Sequence, residues 1–386
     1  MASIKKINDR KFKITVSNGY RPDGRKICKA KTIVVPDNVS RRGISQYVSH
    51  AAEEIERTVK NGFCEDAEMT FEEYARRWLD RQVKYAPGTL ASYRRMLQKV
   101  YPLIGAIQLG RLRPMALENM LVEMRKRESH GKPVQEATVQ KYLTVVSAVL
   151  SDAKRNEIIQ KNPARMIDLP GTEKREQFIP TEEDANRFLN ALADEPWEYK
   201  IFYVLALYTG CRRGELCALK WHDFIMTDKY RCVLTVSRSR SHIPGQGVQE
   251  GLTKNKRSRT IVIEEEITSL VRGYCYYKTA MAEKAGREVN PYLFADEYGE
   301  FIHPDTFTKH LRKIFKENGF PESFHLHTLR HYMVSSLLHH GVDKQTVAEL
   351  AGHADTSFLE RTYCHPQMEL KRQAANVMTD VLLHSA

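Results

Sequence analysis

Residues 324–341 read FHLHTLRHYMVSSLLHHG, which places five histidines and one arginine at the start of what the pattern suggests is a long helix. Three readings compete for this stretch. His327 and His331 stand four apart and share a helix face, the spacing of two zinc ligands. The hydrolytic zinc motif, however, has a Glu beside the first His, whereas this stretch puts the fixed cation Arg330 where a divalent ion would be repelled. That argues against a metal. A second reading makes these surface and half-buried histidines of an ordinary amphipathic helix. The third is an anion site, in which His327 and Arg330, three apart on one face, offer an imidazole donor and a guanidinium fork to one phosphate or carboxylate.

The bulk properties narrow the partners. A chain of 386 residues exceeds one ordinary core and divides into two or three domains. Hydrophobic residues make up 42% and charged residues 28%, a globular balance. No apolar run reaches the roughly 20 residues of a membrane span, and the start MASIKKINDRKFKI lacks a signal peptide's apolar centre, so we expect no membrane association and a cytoplasmic location. Seven cysteines without a C-x-x-C pair suit reduced, packing thiols. Net charge is +12. Its location matters more: residues 1–45 hold twelve Lys and Arg against Asp9, Asp23 and Asp37. A segment so basic reads as a polyanion binder, and the interleaved Phe12, Ile14, Val16, Ile33, Val34 and Val35 argue for folded strands over a solvated tail.

Along the chain, residues 3–35 predict a small sheet of about three strands with a turn in SNGYRPDG (17–24). A helix follows from Arg41 to about Lys60, ending at Asn61-Gly62, and CEDAEM (64–69) reads as a linker. Residues 69–165 read as all helical: Thr70 and Glu73 form a capping-box pattern, a helix starts after Pro87, and Val139, Leu143, Val146 and Leu150 stripe a later one. A boundary falls in DLPGTEKREQFIPT, near 168–180. Beyond it come helices, two strand-like runs, RCVLTVSRS (231–239) and SRTIVIEE (258–265), with a long Gly-rich hairpin loop between them, and further helices.

Two more stretches join the opening one. LYTGCRRGELCALKW (207–221) places Arg212 and Arg213 between two helices, near a helix N-terminus that favours anions. LTKNKRSRTI (252–261) places Lys254 and Lys256 at a tip leading into a strand. With HTLRH (327–331), AGH (351–353) and RTYCHP (361–366), the order Arg, Lys, His-x-x-Arg, His, Tyr closely resembles the tyrosine recombinases, the phage-integrase family. The resemblance spans residues 69–386, and the basic start resembles the arm-binding domain of integrases from phages and conjugative transposons. Cys211 departs from the usual Leu after Thr-Gly, and Ala351 separates Leu350 from Gly352, which touches local packing more than chemistry.

The resemblance implies a multidomain chain. Residues 1–66 would be a small α+β arm-type DNA-binding domain, 67–167 an all-α core-binding domain, and 178–386 a mainly α catalytic domain with a small β-sheet and a C-terminal tail helix. It implies Tyr363 as nucleophile, Arg212 and Arg330 as the clamp on the scissile phosphate, Lys254 as proton donor to the leaving oxygen, and His327 and His353 as the rest of the phosphate-binding set. Arg213, Lys256, Arg257, His325 and His331 fall outside the matching positions and take structural or DNA-backbone roles, while His339 and His340 read as solvated. The implied activity is site-specific cleavage and rejoining of double-stranded DNA, at core and arm sites, through a 3′-phosphotyrosine. A homotetramer acts on DNA, with an excisionase or a host DNA-bending protein as a further partner. Chemistry agrees: two rigid guanidiniums stabilise the charge that a metal neutralises elsewhere, so no metal and no cofactor is required. A noncatalytic DNA-binding protein on the same scaffold and a relaxing type IB topoisomerase are the alternatives. The intact Tyr363 with both arginines opposes the first, and the basic N-terminal segment opposes the second.

Overall fold

The computed structural model describes residues 2–20, 26–60, 68–129, 131–171 and 178–352, with Thr356, Leu359, Ala375, Asn376, Met378, Thr379 and Leu382 beyond. The chain divides into two compact units, residues 1–174 and 175–386. None of the described helices is long and apolar enough to cross a membrane.

The first unit opens with strands β1 (Ser3–Lys6), β2 (Lys11–Tyr20) and β3 (Lys26–Val34), antiparallel in the order β1-β2-β3. Side chains alternate across β2, so Ile14 and Val16 turn inward and are fully buried with Ala52 of helix α1 (Ile44–Lys60). Lys11 and Lys13 fall on the other face and are exposed. Part of the expected turn, Ser17–Tyr20, continues β2 through a register shift, whereas residues 21–25 lie outside the described residues. The expected helix stop at Asn61-Gly62 and most of the linker also lie outside them.

Helix α2 (Phe71–Asp80) begins on the anticipated capping box: Glu73 N donates to Thr70 Oγ1 at 3.3 Å and Thr70 N donates to Glu73 Oε2 at 2.9 Å. Such a cap contributes about 1 kcal/mol. α3 (Pro87–Ile104) and α4 (Pro114–Arg125) both start on proline, whose missing N–H costs nothing in the first turn. A short pair β4 (Glu128–Ser129) and β5 (Lys132–Pro133) leads to α5 (Glu136–Arg155), whose stripe Val139, Leu143, Val146 and Leu150 is buried against Phe71, Trp78, Leu97 and Leu117. One buried polar tie crosses this core, Tyr74 Oη donating to Asp152 Oδ2 at 2.8 Å.

The second unit starts with α6 (Glu182–Ala191) and α7 (Trp197–Thr209). α7 is apolar on nearly every side, which fits a helix surrounded by others: α8 (Arg213–Leu216) and three later helices all pack on it. Strands β6 (Phe224–Met226) and β7 (Cys232–Val236) follow. After β7 the chain does not form the long loop expected. It forms a second hairpin, β8 (Arg238–Ile243) with β9 (Gly247–Leu252), before β10 (Arg259–Ile263) pairs back onto β7 in the order β10-β7-β6. RSRSHI lacks the apolar alternation that marks a strand, so its signal was absent; ion pairs hold it instead. Arg238 meets Asp223 at 2.6 Å, and the Arg240 guanidinium lies 3.8 Å from the Tyr292 ring centre and 4.0 Å from that of Phe301. α9 (Glu265–Lys284), α10 (Pro304–Glu317), α11 (Leu326–His339) and α12 (Lys344–Ala351) follow, and Phe202 stacks on Phe307 at 3.8 Å in the core.

Candidate active site

Two helix ends build the site. α7 stops at Gly210, which takes a left-handed conformation (φ 58°) that lets the chain turn at once into Arg212, the N-cap of α8. Glu215, three residues on, closes a local box: Arg212 N donates to its Oε2 at 3.0 Å and Arg212 Nη1 to its Oε1 at 2.8 Å. α12 likewise stops at left-handed Gly352 (φ 64°), where an added Cβ would approach Arg259 Nη1 to 2.8 Å.

The unpaired carbonyls at these C-termini, carrying the negative end of each helix dipole, gather the arginines. Arg330 of α11 donates Nη1 to Gly210 O at 2.6 Å and Nη2 to Ala351 O. Arg212 donates Nη2 to Gly352 O at 3.1 Å, and Asn255 Nδ2 reaches the same oxygen at 3.0 Å. Arg259, opening β10, donates Nε to Leu350 O at 2.8 Å and Nη2 to Glu215 Oε2 at 2.7 Å. A guanidinium has five N–H groups, so Arg212 and Arg330 retain donors beyond these partners. Beside Arg212 and Arg259 opens a cavity of about 280 Å³ whose lining also includes Asn255, Arg257, Glu349 and Gly352.

Its electrostatics favour an anion. Two guanidiniums, Arg212 and Arg259, pair with one buried carboxylate, Glu215, and a third, Arg330, lies close by on the Gly210 and Ala351 carbonyls. Burial alone would raise the Glu215 carboxyl, but the ion pairs with Arg259 and Arg212 hold it below the usual range, so it is charged. Arg330, 3% exposed, is pushed down to about 10 by burial and by the Arg212 charge, which leaves it protonated at neutral pH yet crowded by like charge. His327 is pushed down to about 4 by burial and by Arg330, His325 and Arg212. A phosphate placed here would relieve the excess positive charge.

The fold thus brings Arg212, His327 and Arg330 together. Lys254 lies exposed in the turn between β9 and β10, next to the Asn255 that bonds Gly352 O. His353 and Tyr363 lie outside the described residues. Of the neighbouring residues, His325 caps α11 by accepting from Thr328 N at 3.2 Å, Arg213 pairs with Asp305 at 2.7 Å, and His331 is buried. Lys256 and Arg257 remain exposed, as do His339 and His340.

Sequence reading missed Arg259 and Glu215. A signal existed for the arginine, since period-2 alternation puts Arg259 on the inward face with Ile261 and Ile263, and an inward arginine needs partners. The departure at Cys211 also finds its reason, for its buried Sγ accepts from Arg259 Nη2 at 3.2 Å, and burial raises its thiol so that it stays neutral. Ala351, the other departure, is fully buried where α12 meets α11.

The Phage integrase family model matches residues 179–369. A tyrosine recombinase of Thermosipho africanus is 23% identical over 276 residues, covering 71% of this chain and 87% of that protein. The integrase of Mycobacterium phage L5 is 26% identical over 321 residues, covering 82% of this chain and 78% of its own. Among solved structures, a variant fragment of the Tn1549 transposon integrase in complex with transposon right end DNA superposes with a TM-score of 0.68 at 16% identity, covering 81% of this chain and all of that one. At that identity the likeness is one of fold.

Proposed function

We propose that the second unit of this chain is a member of the phage integrase family of tyrosine recombinases, whose model matches residues 179–369, and that its residues carry out recombination. The chain is a site-specific DNA recombinase that integrates and excises a mobile element, a reading it shares with integrases of phages and integrative elements. The observation that supports its chemistry is the pairing of Arg212 and Arg259 with the buried Glu215 carboxylate beside an open cavity, with Arg330 anchored on the adjoining Gly210 and Ala351 carbonyls.

Arg212 and Arg330 bind the nonbridging oxygens of the scissile phosphate, where negative charge gathers in the transition state. Their anchoring to helix-end carbonyls holds the forks in place beforehand, so little reorganisation accompanies the reaction. Tyr363 attacks phosphorus and forms the 3′-phosphotyrosine, while the 5′ oxygen leaves. A phenol, with a pKa near 10, needs an oriented anion-stabilising site to react at neutral pH. Lys254, on its exposed turn, supplies the proton to the leaving oxygen. His327, neutral at physiological pH, donates a hydrogen bond to the phosphate, and His353 adds the second. Reversal of the same step by a new 5′ hydroxyl joins strands without ATP. Arg259 and Glu215 position the clamp.

Residues 1–66 act as the arm-site domain and 67–167 as the core-site domain. What supports the first is the outer face of the N-terminal sheet, where Lys5 and Lys13 are direct cross-strand partners. Like charges so paired cost stability unless an anion covers them, which DNA phosphate does. The tail helix of 367–386 lies almost wholly outside the described residues, but Met378 and Leu382, four apart, are 55% and 71% exposed. An apolar pair left in solvent supports docking on a neighbouring protomer of a tetramer, with an excisionase or a DNA-bending protein joining the complex. The test is Tyr363→Phe, which should bind its core site as the wild type does and form no covalent adduct on a suicide substrate. Adduct formation by that variant would overturn the assignment.

A further inference from the structure

We propose that His242, His303 and Asp305 form a binding site for a divalent transition-metal ion of the zinc class, which ties the β8–β9 hairpin to the start of α10. His242 lies on β8, and His303 and Asp305 flank Pro304 at the α10 N-terminus. One donor atom from each lies within 4.8 Å of the others. The two imidazole rings stand 4.7 Å apart at 63°, close enough to converge without stacking.

The distances suit a small ion. His303 Nδ1 and Asp305 Oδ2 are 4.0 Å apart, whereas two ligands of one tetrahedral zinc, each about 2.1 Å away, are separated by about 3.4 Å. Rotation of exposed or half-buried side chains covers that difference. Asp305 is already oriented: its Oδ1 accepts from Arg213 Nη1 at 2.7 Å, and Arg213 also donates to Thr308 Oγ1 at 2.9 Å. A ligating carboxylate held from behind by a hydrogen-bond donor is the usual outer arrangement of a metal site, and here it leaves Oδ2 for the ion. The lone pair the ion would take on His303 Nδ1 now accepts a long bond from Asp305 N, 3.2 Å, a weak contact to exchange. Two imidazole nitrogens, one carboxylate oxygen and an open fourth position for water suit Zn²⁺, Ni²⁺ or Cu²⁺ and disfavour Mg²⁺ and Ca²⁺, which seek all-oxygen shells.

The consequence is mechanical. β8–β9 is held by side-chain ion pairs more than by an apolar core, so a cross-link to α10 would restrain it, and through Asp305 the ion also bears on Arg213, the neighbour of Arg212. None of this requires the strand-transfer chemistry, and a failure here leaves that reading untouched.

Zinc titration of the reduced full-length protein against a chromogenic chelator, paired with thermal unfolding, tests the site; other thiols and imidazoles bind zinc too, so the comparison is between variants. Relative to wild type, His242→Gln and, separately, Asp305→Asn should each lose one bound equivalent. At a hundredfold excess over Kd, Zn²⁺ should raise the wild-type Tm by at least about 5 °C, and this rise should vanish in His242→Gln, an exposed position whose folding circular dichroism verifies. Equal stoichiometry and equal Tm rise in wild type and variants would overturn the proposal. An equal response to Mg²⁺ would overturn the assignment to the zinc class.

Discussion

Glu215→Gln isolates what the buried carboxylate does for the arginine cluster. Glu215 is 1% exposed, and its two oxygens divide the work: Oε1 accepts from Arg212 Nη1 at 2.8 Å, while Oε2 accepts from Arg259 Nη2 at 2.7 Å and Arg212 N at 3.0 Å. Glutamine keeps the shape but has one acceptor oxygen, so its NH₂ must face a guanidinium, donor against donor. Charge-assisted bonds contribute about 1.5–3 kcal/mol each, and removing one partner of a buried ion pair costs about 3–5 kcal/mol. We expect a loss of about 4 kcal/mol, with the Tm of the second unit falling by roughly 10 °C for a unit of about 200 residues. Scanning calorimetry of the full chain measures it. The sign with pH is fixed by the lowered Glu215 carboxyl: its contribution is complete above the ordinary value of 4.5 and fades as pH falls through the folded-state value. The gap between wild type and variant should therefore narrow below about pH 4.5. A gap under about 1 kcal/mol at pH 7, or one that persists unchanged in acid, would refute the view that this carboxylate neutralises the cluster.

Further outcomes follow from the other residues. In the free protein, the His327 imidazole should titrate near 4, seen by NMR, and its value should rise when a core-site duplex brings a phosphate to it; no rise on binding would separate His327 from the phosphate. Deleting residues 1–66 should abolish arm-site binding while cleavage of a nicked core site continues, so equal loss of both would refute a division of labour. Lys13→Glu places an acid opposite Lys5 and should weaken arm-site binding and flatten its salt dependence by about one unit of slope; an unchanged slope would show that this face does not meet DNA. Truncation after Pro366 should leave single-site binding intact and impair assembly and recombination, read by mass photometry on DNA.

Much of this protein is written locally. Thr70 with Glu73, Pro87, the alternating Ile14 and Val16, and the stripe Val139, Leu143, Val146, Leu150 act over a few residues, through capping bonds, fixed proline φ and side-chain periodicity, and so the helices and the N-terminal sheet were legible from sequence. The order Arg, Lys, His-x-x-Arg, His, Tyr could be read only through its resemblance to the tyrosine recombinases, and of those residues the fold brings Arg212, His327 and Arg330 together. Tertiary structure alone decided the rest. The β8–β9 hairpin escaped notice because its strands are polar on both faces and are fastened by Asp223 and by Tyr292 with Phe301, residues distant in sequence. Glu215 escaped because a buried charge declares itself through its partners, whereas Arg259 left a trace in the alternation it shares with Ile261 and Ile263. Arg259 meets Leu350 O, 91 residues away, and Arg330 meets Gly210 O, 120 away. Sequence names candidate side chains, but the helix ends that hold Arg212 and Arg330 still meet only when α7, α11 and α12 pack, because backbone carbonyls look alike in every sequence and acquire position solely from the fold.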